Sequence, residues 1–278
     1  MKRTRAGRFA LAATGILIAA LAAPAVGAAQ GTGLPTFEQF KTSTVQDDGG
    51  QYIVNGDEPV ASTRALRSYF QGMVGSASTR LVPTKINQAG LVVNTVGGVD
   101  DRWSAAKVAN LTYCVSNKFG NQKAAVVVAT REGAGKWERA STAIDYVHIG
   151  AADASCTVRN NRVVFSVEPT RTTQFIARAF FPSSPDGRRN ILVNPVSLQN
   201  SGDWTPGNIL GHELGHTLGF RHEHTRPEAG ICFEDNNWRP LTDYDSASIM
   251  HYPQCNGTSL DLSFTATDRE GVQALYGR

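Results

Sequence analysis

Sulfur is scarce in this chain. Among 278 residues there are four cysteines and three methionines, one of the latter the initiator. No two cysteines stand at C-x-x-C spacing, which argues against a cysteine-held metal. The four, Cys114, Cys156, Cys232 and Cys255, are an even number and suit two disulfides in an exported chain. Three pairings are open, and sequence proximity favours Cys114–Cys156 and Cys232–Cys255. No apolar run long enough to span a bilayer follows the N-terminus, so no stable membrane anchor is expected. Internal repeats are missing as well. So is a charge excess, once the first residues are set aside. Four of the 27 basic residues and none of the 24 acidic ones fall in residues 1–28, leaving 23 against 24, a net of −1. That balance gives no case for nucleic acid as a partner.

What stands at the N-terminus is a processing signal. Lys2, Arg3, Arg5 and Arg8 precede an apolar run from Phe9 to about Ala23, and Val26, Gly27 and Ala28 suit a cleavage site. Residues 1–28 are therefore expected to be a signal peptide and the product to be secreted. Residues 29–105 are polar, Gly/Thr-rich and weakly patterned, with a short helix expected over 62–70 and a loop at 74–80. They are expected to be a pro-region or a small N-terminal extension. Residues 106–278 are dense in pattern, with strands expected at 111–116, 144–149, 162–168, 174–181 and 190–195. A helix over 122–141 is weakened by Gly133 and Gly135. Strands interleaved with helices imply a mixed α/β (α+β) sheet with helices packed on it.

Histidine is concentrated where sulfur is not. Four of the six histidines lie in GHELGHTLGFRHEHTRPE, residues 211–228. Thr205 and Pro206 make a helix start, and Gly219 stands where helices stop in the left-handed conformation. On that helix His212 and His216 are one turn apart on one face. Past the turn at Gly219, His222 can return as a third ligand. Three neutral imidazoles and a water make an open, catalytic Zn2+ site rather than a closed one. Glu213 is placed to act on the water without ligating. H-E-x-x-H arises by chance in on the order of one in a hundred chains this long, and the further Gly and His lower that roughly a thousandfold. The site reading therefore outweighs a polar surface helix.

The run His212-Glu213-x-x-His216-x-x-Gly219-x-x-His222 resembles the signature of metzincin proteases. That family also carries a methionine turn, and Met250 in SIMHYP fits it, packing beneath the histidines. The resemblance implies a zincin-like fold: a twisted mixed sheet, an active-site helix, a C-terminal helix and a cleft between two subdomains. Residues GFRHEHTRPE and SIMHY resemble the astacin family. That likeness implies Glu223 as a structural glutamate and Tyr252 as a tyrosine that leaves zinc to bind the oxyanion. The pattern departs after Arg226, where Glu228, Ala229 and Gly230 stand in place of two aspartates around an arginine. Two segments look like matrixins instead: IARAFFPSSP as an edge strand above the site, and TDREGVQALYG as the last helix, with a capping box from Thr267 to Glu270. The resemblance covers roughly residues 105–278.

The implied activity is secreted, zinc-dependent endoproteolysis of protein or peptide substrates by a monomer. Zinc lowers the pKa of its water towards about 7, Glu213 shuttles the proton, and Tyr252 donates to the oxyanion. Ile176 and Ala177 are candidates to pair with an extended substrate. The rival class is a zinc-binding adhesion module on a protease frame; intact Glu213 and Tyr252 speak against it. His148, Asp145 and Asp153 read as structural, and His224 and His251 as neighbours of the site. Finally, YIVNGDEP (52–59) resembles the F-x-G-D element of astacin propeptides, with Val54 in place of Phe. It implies that 29–105 is a pro-region whose Asp57 occupies the open zinc position.

Overall fold

The computed structural model describes residues 35–78 and 91–278; the expected signal peptide lies outside the described residues. In chain order the principal elements are α1 (Phe37–Ser43), β1 (Val45–Gln46), β2 (Tyr52–Val54), β3 (Glu58–Val60) and α2 (Thr63–Ser78). After the gap come β4 (Val92–Val96), β5 (Val99–Asp100), α3 (Ala105–Val108), β6 (Leu111–Val115) and α4 (Lys123–Ala140). Then follow β7 (Tyr146–His148), β8 (Phe165–Pro169), β9 (Ala177–Arg178), β10 (Asn190–Val193) and α5 (Pro195–Gln199). The chain finishes with α6 (Pro206–Thr217), β11 (Phe220–Arg221), β12 (Trp238–Pro240) and α7 (Ala266–Tyr276). No helix among the described residues is long and apolar enough to cross a membrane.

A five-stranded sheet runs in the order β7-β6-β8-β10-β9, parallel except for β9, which is antiparallel to β10. This is the mixed α/β architecture expected from the sequence. Its central strands present one apolar face, where Val115, Val167, Ile191 and Val193 lie side by side and are fully buried, while Ser166, Glu168 and Asn190 lie on the other. Helix α4 lies on α6, and its buried residues Val126, Ala129, Thr130, Gly133, Trp137 and Ala140 recur at three- and four-residue steps. Gly133, a weakness in sequence terms, is what lets the helices touch: a Cβ there would stand 2.6 Å from the Gly211 nitrogen. Trp137 Nε1 donates to the Gly211 carbonyl at 2.8 Å, and its ring stacks on Phe220. The helix that carries the histidines is thus fixed from behind.

Several elements differ from the sequence expectation. Residues 35–78 are not weakly structured. Strands β1, β2 and β3 form an antiparallel sheet, and Phe37, Tyr52, Val54 and Leu66 make a small core with α1 and α2. Helix α2 runs through the expected loop as far as Ser78, with Gly72 against Asp235. Packing here overrides weak helix propensity. Strand β4 pairs with β11 and β12, and Leu91 is buried against Gly271 of α7. Residues 91–104 thus share the core of the C-terminal part. Of the segment 174–181 only Ala177 and Arg178 pair as strand. Helix α7 is capped two residues earlier than expected, by Thr265 with Asp268 rather than Thr267 with Glu270. The disulfides are Cys114–Cys156 and Cys232–Cys255, the pairs proximity favours.

Candidate active site

Helix α6 begins where Thr205 Oγ1 accepts the Asn208 N–H at 3.1 Å, with Pro206 next in line. It ends at Gly219, whose φ is 98°. The turn has no room for a side chain: a Cβ there would stand 2.0 Å from the Asp101 carbonyl oxygen. That turn returns the chain through β11 and brings His222 against His212 and His216, with ring centroids 4.8–5.1 Å apart. All three imidazoles are buried.

Their outer nitrogens are all held. His212 Nδ1 lies 2.7 Å from the Ile249 carbonyl, and His216 Nδ1 lies 2.9 Å from the Phe220 carbonyl. A carbonyl oxygen only accepts, so in both rings Nδ1 carries the proton and Nε2 keeps its lone pair. His222 Nδ1 is held by Glu234 Oε1 at 2.7 Å. Each Nε2 therefore turns inward as a ligand, and the outer partners fix ring orientation.

A fourth potential donor comes from far upstream. Asp57 Oδ2 lies 3.1 Å from His212 Nε2 and 3.3 Å from His222 Nε2, and accepts a short hydrogen bond from the Tyr252 hydroxyl. Its Oδ1 is 3.2 Å from His222 Nε2 and 3.4 Å from His216 Nε2. Donor atoms of Asp57, His212, His216 and His222 all lie within 4.8 Å of one another. Asp57 Oδ1 and His216 Nε2 are buried and have no hydrogen-bond partner. Orphaned donor atoms converging on one point are what a cation would satisfy, and three imidazoles with a carboxylate suit zinc. Gly56, at φ 98°, lets the chain pass Tyr252, whose Cε2 would be 3.3 Å from an added Cβ.

Electrostatics follow from burial and crowding. Burial, then the charge of Asp57, pushes the Glu213 carboxyl well above the usual range. Burial would raise Asp57 too, but the surrounding imidazoles of His222, His216 and His212 bring it well below that range. Burial and Asp57 hold the Tyr252 phenol well above its ordinary value, so it keeps its proton.

Around this centre the floor is apolar. Met250 is fully buried, and a Cβ on Gly215 would stand 2.5 Å from its sulfur. Its turn is tied to α7: Asp268 accepts from Ser248 Oγ at 2.5 Å and from the Ile249 N–H at 3.0 Å. His224 stacks on His222 at 4.6 Å, and its Nδ1 accepts the Tyr252 N–H at 3.3 Å. His251 Nε2 pairs with Tyr244 Oη at 2.8 Å. Buried Glu223 meets Arg226 at 3.2 Å and the Asp245 N–H at 3.1 Å, so partners exist where the two aspartates are missing.

Other residues lie apart. His148 and Asp153 pair at 3.0 Å, with Lys123 on the same carboxylate at 2.7 Å, beside the Cys114–Cys156 disulfide. Strand β9 is a sheet edge, but Ala177 is buried in the core and the Ile176 carbonyl is taken by the Asn194 N–H at 2.8 Å. Sequence reading missed Glu234, which holds His222. It also missed Arg221, clasped by Glu58, Glu234 and Asp235. Acidic residues in a loop carry no spacing signal; only the basic and histidine partners they meet reveal them.

No family model matches the chain. It is 30% identical to a bone morphogenetic protein 1 homolog of Strongylocentrotus purpuratus over 201 residues, 64% of this chain and 28% of that protein. It is 25% identical to tolloid-like protein 1 of Homo sapiens over 191 residues, 60% of this chain and 16% of that protein. The chain thus spans less than a third of the length of these curated relatives. The solved structure of myroilysin superimposes with a TM-score of 0.46 at 16% identity, over 67% of this chain and 98% of that one. The His212-to-His222 motif, its glycine turn and the methionine floor define a metzincin zinc centre. With the tyrosine turn the site resembles that of astacin-like metzincins, and the chain is similar to these relatives over 60–64% of its length.

Proposed function

We propose that this chain is a secreted zinc-dependent endopeptidase, made in a latent form that its own N-terminal segment holds shut. The observation that carries the reading is the convergence of three Nε2 lone pairs beside a buried carboxyl, Glu213, whose Oε2 has no hydrogen-bond partner. His212, His216 and His222 would hold zinc, and Asp57 would take the position that a substrate water needs. Zinc, when bound, supplies Lewis acidity that acidifies a water and polarises a peptide carbonyl.

The protein groups do the rest. Glu213 accepts the water's proton and returns it to the leaving amine; a raised carboxyl suits that shuttle near neutral pH. Tyr252 keeps its proton and now spends it on Asp57. With Asp57 gone, the same hydroxyl is free to donate to the developing oxyanion, a contact worth about 3 kcal/mol in comparable sites. His224 holds the Tyr252 backbone, and Glu234 holds His222. The pro-region is assigned to the chain before Leu91, because β4 belongs to the same sheet as β11.

Incubating the secreted product with casein tests this. Hydrolysis is expected, to be stopped by a chelator and restored by zinc. Glu213→Ala should lower it by roughly a hundred- to ten-thousandfold while zinc content stays the same. Unchanged proteolysis in that variant would overturn the mechanism.

A further inference from the structure

Where β8 and β10 begin, a surface cavity of about 300 Å³ opens between the turn after Cys156, the short helix α3 and residues 186–189. None of its lining residues belongs to the zinc centre. Lys107, Arg159 and Arg189 put three positive charges into its wall, against the single negative charge of Asp186. Asp186 is already taken by Arg189. Lys107 and Arg159 are exposed and enter no ion pair among the described residues. The same holds for exposed Arg162 and half-buried Arg188, which flank the lining residues in sequence. Residues 91–278 hold 18 basic and 19 acidic residues, so overall charge does not account for four unpaired cations in one place.

Local bonds fix the chain that presents these cations. The turn starts at Cys156, which is tied to Cys114 of β6. The Val158 N–H donates to Glu168 Oε1 at 2.7 Å, and Asn160 Nδ2 donates to Ser155 Oγ at 3.1 Å. Thr157 Oγ1 accepts the Arg159 N–H at 3.3 Å, and Asn160 Oδ1 accepts the Arg162 N–H at 3.1 Å. On the opposite wall Arg189 Nε donates to the Ser184 carbonyl at 2.8 Å, and its guanidinium lies over the Trp103 ring at 4.9 Å. Backbones held this way keep like charges near one opening, where they repel one another until an anion arrives.

Each exposed cation alone gains little from one counter-ion in water. A polymer that carries many anions meets several cations at once and releases its own condensed ions, which makes the contact strong and salt-dependent. Nucleic acid fits poorly, because single strands bind on aromatic platforms. Phe165, the one aromatic among the described lining residues, is buried and stacked on Tyr113. Thr157 and exposed Asn161 offer instead a hydroxyl and an amide beside the cations, groups that suit sugar hydroxyls. We propose that this cavity and its basic rim bind an anionic polysaccharide through sulfate or phosphate groups on the sugar chain. The surface would hold the protein to such a polymer, and it stands whether or not the zinc centre cleaves peptides.

Fluorescence anisotropy with labelled dextran sulfate, dextran phosphate and neutral dextran tests this on the whole protein. One sugar backbone with two anions separates a sulfated source from a phosphorylated one. At least one charged dextran should bind at about 50 mM salt, with an affinity that falls steeply as salt rises, while neutral dextran does not bind. The double variant Arg159→Ala/Arg162→Ala should weaken binding by roughly ten- to hundredfold and flatten the salt dependence. Arg159→Lys/Arg162→Lys should keep most of the affinity, since charge is what the polymer meets. Lys118→Ala/Arg131→Ala removes the same charge beyond the far end of β6 and on α4, and should change binding less than threefold. Thermal midpoints close to that of the wild type show that each variant is folded. Failure of both charged dextrans to bind the wild type overturns the proposal. So does an equal loss in the two alanine pairs, which would reduce the effect to net charge. Competition by oligo-dT or polyglutamate as strong as that by the charged dextrans, at equal charge, overturns the assignment to a polysaccharide.

Discussion

Residues 35–78 and residues 91–278 are held together by different forces. The C-terminal part closes on one large apolar core that joins β4, the five-stranded sheet, α4, α6 and α7. The N-terminal part has a small core of its own around Phe37, Tyr52, Val54 and Leu66. The joint between them is mostly polar: Asp57 among the histidines, Glu58 on Arg221, Asp47 on Arg178 and Asp48 on Thr170. Ile53 with Phe175 and Leu192 is its apolar contact. Buried ion pairs add little net stability, yet losing one partner costs about 3–5 kcal/mol. Such a joint is specific without being part of the core. It suits a segment that fills the site closely and can leave without opening the body.

Removing the central contact should break this contrast most visibly. Asp57→Ala takes away the carboxylate that meets three imidazoles and Tyr252. Activity of the unprocessed chain should rise by roughly tenfold or more, given the cost of unpairing buried charges. Equal activity with and without the substitution would show that the joint does not govern latency. Next in size, Glu234→Gln weakens the hold on His222 from within the body. Zinc affinity should fall by about ten- to hundredfold, measured by competition with a chelator. An unaltered affinity would leave Glu234 as a partner of Arg221 alone.

A packing change sharpens the comparison from the other side. Leu66 is fully buried in the small core, and Leu66→Ala should cost about 2–5 kcal/mol there. Limited proteolysis should then cut within residues 35–78 faster, while the thermal midpoint of the body is preserved. A matching fall in the body's midpoint would mean that the two parts unfold as one.

The smallest effect is a pH dependence in the body. Burial pushes the Asp268 carboxyl up to about 6, against about 3.9 for an exposed aspartate. The folded state thus binds this proton more tightly than the unfolded one. Its contribution is fully present below about pH 4 and is lost as pH rises through about 6. Urea unfolding at pH 4.5 and 7.5 should show a smaller stability difference in Asp268→Asn than in the wild type. An identical difference would remove Asp268 from the account.

How much was legible varies with sequence distance. His212, Glu213, His216, Gly219 and His222 were readable because helical periodicity and a left-handed turn are local rules. The last helix was readable, though its cap shifted by two residues because Asp268 also serves the Met250 turn. The helix through residues 74–78 was not, since VGSASTR has the small polar composition of a loop and only the packed structure carries α2 to Ser78. Gly133 was judged a defect, and only the α4–α6 contact reveals it as a requirement.

By itself the sequence determined the zinc motif, the mixed α/β class and the preference for two near-neighbour disulfide pairs, because each depends on short-range spacing. Tertiary structure alone decided which loop acid holds His222 and which carboxylate meets buried Arg178. Those choices belong to packing: a buried charge takes whatever partner the folded core brings within reach, and no spacing in the chain records it.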